Sequence, residues 1–350
     1  MQPDPDFGRL DAVLRRKGVP DRVPFFELYS NITTEVLAAI GGMPKPVDSG
    51  EQWERGIMQH ILYMYHLGYD YINAGPRNFS FPKAAEPTAM TAQGERSYTL
   101  AGAHTIQNRA EFDRYAWPDM LSVDYTPLER VSALLPDGMK VIAGSAGILE
   151  NVMWLLGYEG ISFLLADDVQ LVDDMFEAVG SRLVEYNGRQ ASYDSVGAVV
   201  MGEDMGFKTQ TLLSPELYRR FVFPWHKKLA NAVHEHNKPL ILHSCGNLEE
   251  VIDDIIDCGW DAKHSFEDTI IPVWQAKKKY GDRIALLGGF DMDKISRMTV
   301  DDVRRHAKYL LDECSPGGGW ALGTGNTVAN YIPVENFLAM LDEGRKHGTQ

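Results

Sequence analysis

The chain has 350 residues, of which 44% are hydrophobic and 10% aromatic, enough for a large core and too much for a disordered chain. Its formal charge of −15 and isoelectric point near 5.1 speak against the basic footprint that nucleic-acid phosphates require. The opening MQPDPDFGRL lacks the basic and apolar regions of a signal peptide, no apolar run reaches the roughly 18 residues of a membrane span, and Cys245, Cys258 and Cys314 are too scattered for a disulfide framework; a cytoplasmic protein is expected.

Residues 1–20 read as an N-terminal helix or extension. Eight short runs then suit buried parallel strands: VPFFELY (23–29), YDYINAG (69–75), KVIAGSAG (140–147) and GAVVMGED (197–204), followed by PLILHSCG (239–246), DAKHSFED (261–268), IALLGGFD (284–291) and WALGTGNT (320–327). The second and sixth are the least apolar. Between the second and third, residues 76–126 are too long for a plain connection, and RSYTLAG and AHTIQNR within them predict a small inserted hairpin.

Helical patterns fill the other gaps. Residues 214–236 begin with Ser214 as N-cap, Pro215 at the first helical position and Glu216 in the first turn, and Pro224 should kink or split the helix. Residues 247–259 place Leu248, Val251, Ile252, Ile255 and Ile256 on one face, from Asn247 to a stop at Gly259. Residues 299–314 start on Thr299 with Asp301 and Asp302 behind it, and 334–348 close the chain. About eight strand–helix units predict a single (β/α)₈ TIM barrel spanning residues 1–350 as one domain. No G-x-G-x-x-G follows the first strand, so a dinucleotide-binding sheet has no support.

In such a barrel the active site lies at the C-terminal ends of the strands. Those ends carry Glu27, Ser145, Glu203, Asp204, His243, Cys245, Glu267, Asp291 and Asn326. Residues i and i+2 of a strand share a face roughly 6–7 Å apart, so His243 and Cys245 can both face the mouth, with Ser244 turned away and Gly246 allowing a turn. Imidazole and thiolate are typical zinc donors, but a catalytic zinc needs a third protein ligand; Glu27, Glu203, Asp204, Glu267 and Asn326 are the candidates. The pair also suits an imidazole-activated thiolate, or a packed thiol with a hydrogen-bonded histidine. GSAG (144–147) and GTGN (323–326) can offer backbone N–H groups to an anion, Asp291 is a strand-end carboxylate or a helix cap, and Arg77 is the cation best placed for a carboxylated ligand.

From about residue 20 to 345 the chain resembles the uroporphyrinogen decarboxylase superfamily, through LLSPELYRRFVFPWHKKLANAVHEHNKPLILHSCGNLEEVIDDIIDCGWDA, YGDRIALLGGFDMD and GGGWALGTGNTVANYIPVENFLAML. The resemblance implies the same barrel. It covers true decarboxylases and zinc-dependent methyltransferases that move methyl groups between a corrinoid protein and a thiol. The decarboxylases share an N-terminal segment reading roughly MRQAGRY, whose arginines hold substrate carboxylates; the corresponding VPFFELYSN has no arginine and carries Glu27. The methyltransferases share the H-x-C element matched by His243 and Cys245, but Asn326 stands about where their third zinc ligand, a cysteine, is expected.

The leading expectation is therefore metal-assisted methyl transfer, with zinc on His243 and Cys245 and a corrinoid carried by a partner protein. Glu203, Asp204 and Glu27 are the catalytic candidates, and Arg77, Ser145, Glu267, Asp291 and Asn326 the substrate-binding ones. Cofactor-free decarboxylation of uroporphyrinogen or another carboxylated ligand is the alternative, and a non-catalytic binder of tetrapyrroles or corrinoid proteins the third reading. A monomer and a homodimer are both compatible with this barrel.

Overall fold

The structure is a computed structural model that describes residues 3–41, 52–83, 88–91, 94–97 and 105–348. Seven parallel strands form one sheet in the order β1 (Tyr71–Asn73), β4 (Lys140–Ala146), β5 (Val196–Gly202), β6 (Leu240–His243), β7 (Ala262–His264), β8 (Ala285–Leu287) and β9 (Trp320–Ala321). The segment around residues 24–30 runs parallel to the chain beyond β9 through bridges Phe25–Leu322 and Ser30–Val328. On its other side it meets β1 through side chains: the Tyr71 hydroxyl donates to the Glu27 carbonyl and accepts from the Glu27 N–H, and Phe26 stacks on Tyr71. The curled sheet with its covering helices is the expected α/β barrel, and each of the eight apolar runs lies on one of these segments, the two weakest included.

Strands β1 and β6–β9 have only two to four residues each. Almost every residue in them is buried, because helices cover one face and the lumen the other. That double burial is why they read as continuous apolar runs rather than as alternating ones.

The hairpin exists, but earlier than RSYTLAG and AHTIQNR place it. Its strands are β2 (Thr88–Thr91) and β3 (Gly94–Ser97), paired antiparallel. Residues 98–104 lie outside the described residues, and from Asn108, whose side chain accepts from Glu111 N, the chain enters helix Arg109–Arg114.

Local helix rules fare unevenly. Thr299 accepts from Asp302 N as a cap should, and Val300–Cys314 follows. The helix expected from Asn247 begins only at Ile252 and runs to Asp257, because Asn247 spends its side chain on Glu249 N in a turn. Pro224 neither kinks nor splits its helix cleanly. Its ring removes a donor and crowds the preceding turn, and the chain answers with a π turn over Tyr218–Val222, between Pro215–Leu217 and Phe223–His234. Ser214 makes no side-chain cap bond there. Among the described residues no single helix is long and apolar enough to cross a membrane.

Candidate metal and catalytic site

Strand β6 ends at His243, and Cys245 sits two residues on in the loop. Gly246 then takes φ +85°, with its Cα so close to the Gly206 backbone that a Cβ would come within 2.1 Å of the Gly206 oxygen. Only glycine fits that approach. The same alternation governs β5: Gly202 is the register partner of His243 and a Cβ there would meet nothing within 4 Å, so the lumen is open beside the imidazole. Glu203 turns away from it and Asp204 turns back.

Three donors converge at this point. His243 Nε2 lies 3.8 Å from Cys245 Sγ and 4.0 Å from Asp204 Oδ1, and all three donor atoms lie within 4.8 Å of one another. Zinc bonds of roughly 2.0–2.3 Å ask donors to sit about 3.3–3.8 Å apart, so small side-chain rotations would close this set around an ion. Asp204 also accepts from Cys245 N at 3.0 Å, which ties the two loops together, and its side chain is 48% exposed, leaving the mouth side accessible.

Around the sulfur, Asn326 Nδ2 donates to Cys245 Sγ at 3.2 Å while its Oδ1 accepts from Thr327 N, and Ser265 Oγ lies 3.5 Å away. Ser265 reaches it from a left-handed backbone, φ 84°, a costly conformation for serine. Its carbonyl, with that of Ser244, is held by the buried Lys263 ammonium at 2.6 and 3.3 Å. Burial pushes the Cys245 thiol up to about 11, with the Asp204 charge adding to it, and burial holds His243 down at about 4. The histidine is therefore neutral near pH 7, as a metal ligand must be.

Behind His243 runs a buried chain of hydrogen bonds. His243 Nδ1 lies 2.8 Å from His264 Nδ1, and His264 Nε2 lies 3.3 Å from the Thr324 carbonyl. Thr324 N donates to Glu27 Oε1 at 2.7 Å, and its hydroxyl meets Glu27 Oε2. Burial pushes the Glu27 carboxyl up to about 8 against these two bonds. Glu150 is also pushed up to about 8, by burial first and then by Glu203 and Asp204.

A pH dependence follows from these raised carboxyls. Native Glu27 keeps its proton above the ordinary value of 4.5, where the unfolded chain has released it. Stability is then highest below that value and falls as pH climbs toward about 8, by up to ~1.4 kcal/mol per pH unit for this group. Urea unfolding from about pH 5 to about pH 8 is expected to show a shallower decline for Glu27→Gln than for the parent chain. An unchanged slope would mean that Glu27 is ionised in the native state throughout.

The remaining strand-end residues go elsewhere. Glu203 is fully buried: Oε2 accepts from Ile148 N at 2.6 Å, Oε1 from Glu150 N at 3.0 Å, and His226 Nε2 lies 3.2 Å from Oε2. It satisfies two N–H groups at the N-terminus of helix Ile148–Leu156. At the two glycine turns expected to bind an external anion, the chain's own carboxyls take backbone N–H groups: Glu150 accepts from Gly147 N at 3.3 Å in GSAG, and Glu27 from Thr324 N in GTGN. Asp291 caps helix Met292–Arg297 through Asp293 N and Lys294 N, and accepts from Asp268 N as well. Ser145 accepts from Asn187 and faces a cavity beside helix Val169–Ala191, with Phe79, Trp154 and Tyr186. Glu267 lines a mostly apolar cavity with Lys263, Phe266 and Tyr280, behind the sheet. Arg77 bridges to Asp124 and lays its guanidinium over Trp53, 4.9 Å from the ring centre.

Sequence reasoning missed His264, Thr324, Ser265, Lys263 and Glu150. One signal was available: the dipeptide His-Ser occurs at 243–244 and again at 264–265, at matching ends of adjacent strands.

Comparison with known proteins agrees with this architecture. Residues 100–347 match the uroporphyrinogen decarboxylase (URO-D) family. A methylated-thiol–coenzyme M methyltransferase of Methanosarcina mazei is 28% identical over 186 residues, 53% of this chain and 47% of that protein. A methylcobamide:CoM methyltransferase of Methanosarcina barkeri is 30% identical over 131 residues, 37% of this chain and 36% of its own. A uroporphyrinogen decarboxylase of Thioalkalivibrio sulfidiphilus is 27% identical over 140 residues, 39% of each. The chain thus spans half or less of the length of these curated relatives. In three dimensions it superposes on a methyltransferase from Methanosarcina mazei with a TM-score of 0.68 at 18% identity, covering 97% of both chains, a likeness of fold. With the matched region extending over most of the barrel, this chain belongs to the uroporphyrinogen decarboxylase family.

Proposed function

We propose that the protein is a zinc-assisted methyltransferase, taking a methyl group from a methylated corrinoid on a partner protein to a thiol. The observation that carries this reading is the convergence of Asp204, His243 and Cys245 at the barrel mouth. Their oxygen, nitrogen and sulfur donors suit zinc, and three protein ligands leave one position open. When bound, zinc would lower the pKa of an incoming thiol so that it reacts as thiolate.

The chain's own residues do the rest. Asn326 donates to the Cys245 sulfur, damping its nucleophilicity so that it serves as a ligand and not as a methyl acceptor. Gly202 leaves lumen space next to His243 for the substrate thiol. Glu150, adjacent to Asp204, is placed to take the thiol proton in its ionised form, which burial and the neighbouring carboxylates restrict to pH near and above about 8. In the net reaction a sulfur–carbon bond forms and the cobalt–carbon bond breaks. Its electron pair stays on cobalt, and the proton passes through the carboxyl to water.

Two further points favour methyl transfer over porphyrinogen decarboxylation. The relatives of highest identity above carry methyltransferase names, one of them naming a methylcobamide. The mouth presents the Asp204 carboxylate, which opposes a substrate covered in carboxylates, and by the family resemblance Glu27 stands near the place of the arginines that hold such a substrate in the decarboxylases.

Anaerobic incubation of the zinc-loaded protein with methylcobalamin and a panel of thiols, coenzyme M among them, is expected to demethylate the corrinoid and yield a thioether. No demethylation with any thiol, together with conversion of uroporphyrinogen to coproporphyrinogen, would replace this reading with the decarboxylase one.

A further inference from the structure

We infer that His264 is a positioning residue that fixes His243 in its Nδ1–H tautomer, so that the Nε2 lone pair faces Cys245 and Asp204. The inference rests on the metal site proposed above but concerns the protein before any ion arrives.

The far end of the chain of bonds sets the first hydrogen. The Thr324 carbonyl can only accept, so His264 Nε2, 3.3 Å from it, carries a hydrogen. That carbonyl is well anchored. Its residue is held to Glu27 by two bonds, and Gly288 and Gly289 pass close by with positive φ, Gly289 N donating to the same oxygen at 3.2 Å. A side chain at Gly288 would collide with that oxygen at 2.1 Å and approach His264 Nε2 at 3.1 Å.

His264 is fully buried and packs edge-on against Phe26, with ring centres 5.1 Å apart. Its two nitrogens face a carbonyl and another imidazole; among the described residues no carboxylate contacts it, so nothing compensates an imidazolium there. A neutral ring that donates from Nε2 must accept at Nδ1. His243 Nδ1 lies 2.8 Å from that acceptor and must therefore donate. Its Nε2 is left bare, 3.8 Å from the sulfur and 4.0 Å from the carboxylate.

Sheet register makes this possible. His243 and His264 are direct partners between β6 and β7, so neighbouring strands present both rings on the same face of the sheet. Metal-bound histidines usually have their second nitrogen held by a carboxylate or a backbone carbonyl. Here the hold is relayed through a second imidazole to a carbonyl, which orients the ligand without adding negative charge.

The test is imidazole ¹⁵N–¹H correlation spectroscopy on the full-length, metal-stripped protein labelled at its 10 histidines. His243 is expected to show Nδ1–H with a bare Nε2, and His264 the reverse; signals are assigned by their loss in His243→Asn and His264→Asn. In His264→Leu, His243 is expected to lose its single tautomer and zinc affinity to fall on the order of 10–100-fold by chelator competition. His264→Asn, whose Oδ1 can accept where Nδ1 does, is expected to recover most of it. Finding His243 protonated on Nε2 in the parent protein would overturn the inference even if zinc binds. Unchanged affinity and tautomer in His264→Leu would do the same. The expected tautomers in a protein that never binds zinc would leave the inference standing and remove the metal site.

Discussion

Cys245→Ala is expected to lose its zinc on dialysis, with affinity down by at least about a thousandfold, about 4 kcal/mol. The reason is ligand count. Without Sγ, the cluster retains His243 and the half-exposed Asp204, and two ligands do not hold a catalytic zinc. The fold should survive, since the thiol's polar contacts at the mouth are the Asn326 amide, the Ser265 hydroxyl and, at 3.8 Å, His243 Nε2, none of them part of the apolar core. Cys258, whose sulfur donates to the Phe223 carbonyl, and the fully buried Cys314 supply controls: alanine there should leave the zinc content unchanged in whatever protein folds. Elemental analysis and chelator competition read both outcomes. Parent-level zinc in Cys245→Ala would remove the proposed centre.

Glu203→Gln is expected to destabilise the protein by about 3 kcal/mol while leaving the zinc content of the folded fraction intact. Trp260 Nε1 donates to His226 Nδ1 at 3.3 Å, so the neutral ring carries its hydrogen on Nε2 and donates it to Glu203. Glu203 thus accepts from a side chain and from two backbone N–H groups of a helix end, all sealed from water. An amide offers one oxygen, and its NH₂ would face donors. The urea midpoint should drop at constant m-value. A variant as stable as the parent but unable to transfer a methyl group would put the carboxylate in the chemistry instead.

How much of this was readable beforehand differs element by element. Six of the eight strand segments stood out because burial on both faces removes polar residues from them; the second and sixth, less apolar, were the weaker readings, and the sixth carries Lys263 and His264. Helix starts were less legible. Asn247 and Thr299 are equally good caps by composition, yet only Thr299 opens a helix, since the chain after Asn247 first turns to clear Gly206. The π turn before Pro224 has no residue signature beyond the proline itself.

The site divides in the same way. The spacing of His243 and Cys245, just at and past the end of β6, was legible in local sequence, as was Asn326 five residues beyond β9, because a residue two past a strand end tends to keep the face of its i−2 neighbour however the barrel closes. The choice between Glu203 and Asp204 was not. Adjacent residues face opposite ways, and only the strand's placement decided that the first would cap a buried helix and the second join the donors. His264 could be found only through register, the alignment of two strands 21 residues apart, which hydrogen bonding between backbones sets and side-chain chemistry does not announce. The sequence by itself thus determined a barrel and two of the three candidate metal donors. Tertiary structure alone decided which carboxylate completes that set and which imidazole stands behind it, because both depend on the distance between residues that the chain separates and the sheet brings together.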